Sequence, residues 1–183
     1  QQVVALCLVR AAAYAGRAFT LTTQSLWRDE VDALRFATAP WPELIGSFTK
    51  PGWNGPLYFA LLRGWIALTG QSEFALRYFS LLFGVLATAL AFVLARRFGG
   101  MAAAFWCAAL FALSPYFIWY SQEVKMYALI LAMATLAIYA LHKALARGRP
   151  VSSQAGWWLA LVVATSIAFY SHILAALLIP VEM

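Results

Sequence analysis

Charge is scarce in this chain. Only 11 % of its 183 residues are Asp, Glu, Lys or Arg, while 64 % are hydrophobic. Water-soluble domains carry about a quarter charged residues, so that class is excluded. Cysteine is nearly absent: Cys7 and Cys107 both lie in apolar runs, which excludes a disulfide framework and reads as buried or cytoplasmic-side thiols. Histidine is limited to His142 and His172, leaving no Cys/His set at metal-ligand spacing. A Gly-rich phosphate loop and a G-x-S-x-G nucleophile turn are also missing, so no nucleotide cradle is visible. There is no internal repeat and no low-complexity segment. Arg10 and Arg17 interrupt the first apolar run where a signal peptide needs its core. The chain opens inside one apolar run and stops just after another, and so reads as the N-terminal part of something longer.

What is present is a series of apolar runs near the ~20 residues that cross a bilayer as a helix. The expectation is an all-α polytopic membrane protein of about five transmembrane helices, residues 1–183 forming one membrane-embedded module. The spans fall near 3–21, 78–95, 101–120, 124–141 and 157–179. The first is weak, because Arg10 and Arg17 must snorkel or face a protein cavity. Between the first two spans, 22–75 reads as an external loop with juxtamembrane helices at 29–37, 42–48 and 56–68. The last is about 13 residues long and contains Arg63, which favours an interfacial helix over a span. With it in the interface, Arg96, Arg97, Lys143, Arg147 and Arg149 fall together on the cytoplasmic side. Asp29, Glu30, Asp32, Glu43, Glu73, Glu123 and Glu182 then fall on the other side. The +6 net charge therefore has a topological reading, and nucleic acid is not an expected partner.

Three carboxylates crowd into Gln24-Ser25-Leu26-Trp27-Arg28-Asp29-Glu30-Val31-Asp32. Carboxylates beside a bilayer are expensive to bury and tend to mark function. Asp29 reads either as a helix cap or as a general base on an acceptor hydroxyl, with Glu30 beside it as the second catalytic candidate. A Mg²⁺ or Mn²⁺ ion is compatible with carboxylates, but adjacent helical residues diverge by ~100° and cannot chelate it unaided, so no metal ligand and no firm cofactor is assigned. In Ser121-Gln122-Glu123-Val124-Lys125-Met126-Tyr127, Ser121 reads as an N-cap and Glu123 suits the helix dipole. Lys125 does not, unless an anion is near, which makes it a candidate phosphate contact. Arg77 is a second such candidate, or else a snorkelling residue. Lys50-Pro51-Gly52-Trp53-Asn54-Gly55-Pro56 is rigid turn chemistry. His172, in the outer half of the last predicted span, is either a bonded core residue or a functional group. His142, beside Lys143, reads as interfacial.

The Gln-Ser-Leu-Trp-x-Asp-Glu pattern at 24–30 resembles the first external loop of membrane-integral, GT-C-type glycosyltransferases of the protein O-mannosyltransferase and aminoarabinose transferase superfamily. Six further stretches match in order: Gly55-Pro56-Leu57-Tyr58-Phe59, Ser72-Glu73-Phe74-Ala75-Leu76-Arg77, Arg96-Arg97-Phe98-Gly99, Ser114-Pro115, Tyr120 to Ala128, and Tyr170-Ser171-His172. The resemblance implies a sugar donor on a polyprenyl phosphate, and a protein, lipid or glycan acceptor. It also implies reaction at the non-cytoplasmic face of the plasma (inner) membrane. Its catalytic Asp maps onto Asp29, with Arg77, Glu123, Lys125, Tyr127, Lys50 and His172 as substrate and donor-phosphate candidates. Two departures stand out: Asn54-Gly55-Pro56 replaces a common His-Pro-Pro, and Lys125 replaces an Arg, which weakens it as a clamp. The rival reading is a transporter or flippase of a lipid-linked anion without covalent chemistry. It calls for ionisable groups at mid-membrane and an inverted repeat.

Overall fold

The computed structural model describes residues 2–50, 55–146 and 151–182, and among these every regular element is helical. α1 (Gln2–Ala18) leads into a turn, then α2 (Arg28–Thr38), α3 (Trp41–Gly46) and a 3-10 turn at Ser47–Thr49. α4 (Pro56–Thr69), α5 (Glu73–Leu113), α6 (Pro115–Gln122) and α7 (Tyr127–Ala144) follow. The chain closes with α8 (Val151–Ser171), a 3-10 segment at Ile173–Leu178 and α9 (Ile179–Glu182). Two helices, α5 and α7, are long and apolar enough to cross a membrane.

α5 is in fact two arms. A straight helix of 41 residues would run about 60 Å, twice a bilayer core. Gly100 breaks it at φ 74°, ψ −166°, a conformation that costs glycine little. The arms fold back on each other, because Phe92 before the break and Ala104 and Ala108 after it pack with Val9 in one cluster. The connection expected at Arg96-Arg97-Phe98-Gly99-Gly100 is therefore a turn between apolar arms. The second arm stops at Ser114, where Pro115 opens α6. Proline has no N–H, so Phe111 O loses its helical partner.

Arg17 supplies the replacement. Its Nη2 donates to Phe111 O at 2.9 Å, Nη1 to Ala112 O at 3.4 Å and to Ala13 O at 3.1 Å, and Nε to Ser121 Oγ at 3.1 Å. Only 1 % of Arg17 is exposed. Of the two roles open to it in the sequence, the cavity-facing one holds. Gly84 lets this clamp close: a Cβ there would collide with Ser121 Oγ, lie 2.6 Å from Ser121 Cβ and 3.0 Å from Arg17 Nε. Gly84→Ala is expected to cost ~1–3 kcal/mol, the usual penalty for overpacking. A lowered melting temperature in detergent, with Ala→Gly reversion restoring it, checks this.

α4 is the short helix expected at 56–68. Gly55 precedes it in the left-handed region at φ 87°, and Pro56 occupies the first turn, where its missing N–H is harmless. Arg63 reaches Ala37 O at 3.3 Å, bonds Ala39 O, and lies 4.4 Å from the Trp41 ring centroid, tying α4 to the end of α2. Trp65 Nε1 donates to Ala75 O at 2.7 Å.

The helices have distinct ends. Arg77 opens α5, and Arg97 lies twenty residues on, about 30 Å along the axis. Arg97 Nε meets His142 Nε2 at 2.8 Å near the end of α7, so the basic turn and the close of α7 share one end of the bundle. Arg147 and Arg149, expected on that same side, lie outside the described residues.

Candidate functional site

At the other end, the site is organised by Glu30 and Arg77. Arg77 Nε donates to Glu30 Oε1 at 3.0 Å and Nη2 to Oε2 at 2.7 Å. Nη1 donates to Leu21 O at 3.0 Å and Gln24 O at 2.6 Å, and Nη2 also to Ser25 O at 3.2 Å. These five bonds use all five guanidinium N–H groups. Glu30 in turn accepts from Val124 N at 3.0 Å and from Trp27 N at 3.3 Å. Both side chains are buried. The pair thus fastens the 21–27 turn, the start of α2 and the 123–126 loop to the head of α5. The geometry corrects two expectations. Arg77 has no donor left for a donor phosphate, and Glu30 has both oxygens committed, so each holds the site rather than acting in it.

Asp29 is different. Trp27 is the N-cap residue of α2, and the side chain that answers its backbone N–H is that of Glu30, which removes the capping role for Asp29. Its carboxylate is 46 % exposed, and Lys125 Nζ approaches Asp29 Oδ2 at 3.7 Å from a side chain only 17 % exposed. Adjacent residues on α2 therefore divide the work: Glu30 turns inward to Arg77, and Asp29 turns toward Lys125 and solvent.

Ser121 is not the cap of the next span. It sits inside α6, where its hydroxyl bonds Phe117 O at 2.6 Å and accepts from Arg17. α7 starts only at Tyr127, which leaves Glu123 and Lys125 in the connecting loop rather than in a first helical turn. Glu123 Oε1 accepts from Trp119 Nε1 at 2.7 Å, and the residue is 7 % exposed. Burial raises its pKa above the ordinary carboxyl range, the indole N–H offsetting part of this, with Glu30 raising it and Lys125 lowering it. A raised folded-state pKa contributes stability below the ordinary Glu value, near pH 4.3, and that stability is lost as pH rises through the raised pKa. Glu123→Gln keeps the Trp119 acceptor and removes the charge, so its melting temperature relative to wild type is expected to climb as pH rises above about 4. A flat difference would contradict the assignment.

Tyr127 packs edge-on to Tyr120 at 4.7 Å, and Tyr120 to Tyr116 at 4.6 Å. Tyr127, Ile130 and Ala134 are shared by two apolar hollows of about 360 and 370 Å³. Both lie as grooves along α7, and the larger is lined also by His172 and Leu178. His172 is not within a span: α8 ends at Ser171, and His172 Nδ1 accepts from Leu174 N at 3.1 Å to start the 3-10 segment. Lys50 is exposed at the end of the Ser47–Thr49 turn, and Asn54 lies outside the described residues. Among the described residues no three His, Cys, Asp or Glu side chains converge as a metal site would require. A third cavity, of about 290 Å³, lies beside the Glu30–Arg77 pair, between the 20–27 turn and the 119–123 segment.

Sequence reasoning left the partners of Arg17 open, and it missed Trp119 and the placing of Trp27 in that third cavity. The signal for Arg17 was Pro115 inside an apolar run, which must free a carbonyl four residues earlier.

No curated protein and no solved structure matches the chain. A family model does, that of dolichyl-phosphate-mannose-protein mannosyltransferase, over residues 50–181. The match takes in Arg77, Glu123, Lys125, Tyr127 and His172 and begins beyond Asp29 and Glu30. Because it spans well over half of the chain, this protein belongs to the membrane-integral mannosyltransferase-type family of glycosyltransferases, which draw their sugar from a polyprenyl-phosphate donor.

Proposed function

We propose that the chain carries the donor-binding and catalytic end of a glycosyltransferase that moves a sugar from a polyprenyl phosphate to a hydroxyl of a protein, lipid or glycan. The single observation that carries this reading is the Asp29–Lys125 pair, a half-exposed carboxylate beside a cation in the loop that leads into α7. Asp29 takes the proton from the acceptor hydroxyl as its oxygen attacks the anomeric carbon. The bond from that carbon to the phosphate oxygen breaks, and the electron pair leaves with the polyprenyl phosphate. Lys125 neutralises the charge that develops on the phosphate, an interaction strengthened where water is partly excluded. Direct displacement inverts the anomeric centre.

Arg77 has no part in contacting the phosphate in this scheme; Lys50 is the candidate for a second contact. The groove lined by Tyr127, Ile130 and His172 suits the isoprenoid chain, since its walls are apolar and it runs alongside α7. The topology that goes with this reading is the five-span one, with α4 in the interface. It puts Arg96, Arg97 and Lys143 at the cytoplasmic side and Asp29 at the non-cytoplasmic face of the plasma membrane, consistent with the positive residues in short loops.

The test is turnover. Full-length protein in detergent, given polyprenyl-phosphate mannose and a hydroxyl acceptor, should release polyprenyl phosphate and yield the glycoside with inverted configuration. Release without inversion would overturn the direct displacement, and no release from any polyprenyl-phosphate sugar would overturn the enzyme reading for this chain.

A further inference from the structure

The 290 Å³ cavity beside Glu30 and Arg77 is not the apolar groove, and its lining has a different chemistry. Trp27 comes from the head of α2 and Trp119 from α6, with Thr23, Gln24, Gln122 and Glu123 completing much of the wall. At this volume the cavity sits at the small end of ligand pockets, too small and too polar for an isoprenoid chain. We propose that it is a subsite for a single neutral sugar ring, a pyranose held by the two tryptophans and by hydrogen bonds to its hydroxyls.

Charge fixes the ligand class. Glu30 and Arg77 also line the cavity, but each is consumed by the other, so the pair presents no net charge. The remaining ionisable group is Glu123, a carboxylate that can only accept. Its Oε1 is taken by Trp119; its Oε2 has no hydrogen bond among the described residues and belongs to a cavity-lining side chain. On a side chain that lines the cavity, that oxygen can accept an O–H, and the carboxylate's charge would repel a phosphate. A polyol meets both conditions. Indole faces supply the apolar platform that the C–H side of a sugar ring needs, with a polar edge beside it. Gln24 adds a free amide: its backbone carbonyl binds Arg77, while the side chain is exposed at the rim. The Gln122 amide is oriented by Arg17 O at 2.7 Å and Thr20 Oγ1 at 2.8 Å, which leaves its oxygen as a fixed acceptor. The cavity adjoins the reacting group through Glu123, whose carboxyl lies within the fields of both Asp29 and Lys125.

This assignment deepens the transferase reading and rests on it for the role of the sugar, which is either the donor's glycosyl group or the terminal ring of a glycan acceptor. The test uses full-length protein and two variants, Gln24→Ala and Trp27→Leu, of which Gln24→Ala leaves all described folding contacts in place. Steady-state rates are measured with polyprenyl-phosphate mannose varied at fixed acceptor, and then with a mannoside acceptor varied at fixed donor. Loss of one stack or hydrogen bond is expected to raise KM about 10-fold, for the donor if the donor ring sits here and for the acceptor if the acceptor ring does. Both KM values staying within twofold of wild type, in both variants, would overturn the subsite. A separate readout keeps it distinct from the transferase reading: saturation-transfer NMR of methyl α-mannoside on the wild-type protein, weakened by Gln24→Ala. Saturation transfer without turnover keeps the subsite and sinks the transferase; turnover with neither saturation transfer nor a KM change does the reverse.

Discussion

Asp29→Asn is expected to cut the rate of sugar transfer by ~10²–10⁴-fold, the range spanned by a positioned general base. The substitution is nearly isosteric, and it removes only the capacity to take a proton and the attraction to Lys125. At 46 % exposure that attraction is a surface ion pair, worth ~0–1 kcal/mol, so the melting temperature should barely move. The expected signature is therefore a fall in kcat with little change in donor KM and an intact fold. Turnover like that of wild type would make Asp29 a bystander, and the carboxylate chemistry would have to be sought at Glu123. A drop in melting temperature of several degrees would show that Asp29 is structural and that the lost activity reports unfolding.

Glu30→Ala acts in the opposite register. It leaves Arg77 buried with two of its five acceptor contacts gone and strips a hydrogen bond from Val124 N. Removing one member of a buried ion pair typically costs ~3–5 kcal/mol, because the surviving charge is left uncompensated. That is a fifth or more of the ~5–15 kcal/mol stability of an ordinary domain, and the expected outcome is poor yield and loss of a cooperative melt. Arg77→Met should be comparably damaging, since Glu30 is then the orphan. In the double variant each removal relieves the other, so its cost should fall well short of the sum. Additivity would mean that the two side chains do not depend on each other. Activity would fall in all three through loss of the scaffold, and this separates them from Asp29→Asn.

The contrast between these neighbours marks how far the sequence could be read. The acidic turn was visible because acids are rare here, and the short helices between α1 and α5 were visible from Pro, Gly and length. The division of labour between Asp29 and Glu30 was not. It depends on Arg77, 47 residues away from Glu30, and nothing in spacing pairs them. The same is true of Ser121, whose local pattern is that of a helix cap. A distant guanidinium outweighs that pattern, because a buried Arg must find acceptors wherever the fold offers them. His172 was placed inside a span because Ser171-His172 carries no Gly or Pro to announce a helix end. The end arises when the imidazole takes the Leu174 amide. The break at Pro115 was legible in principle, but a single proline in an apolar run also fits a kinked span.

The Arg17 clamp also has a consequence in time. Its partners Phe111 and Ser121 lie 94 and 104 residues later in the chain. At ~5–20 residues per second of synthesis, α1 waits about 5–20 s for them, with Ala13 O as the one local acceptor for its guanidinium. Arg17 lies in the last turn of α1, where its long side chain can reach a polar surface in the meantime, so the end of α1 is held only loosely until the α5 hairpin and α6 arrive. α1 thus leaves the ribosome ahead of its partners and is secured only after them, which makes it in biogenesis the closing member of this group of helices.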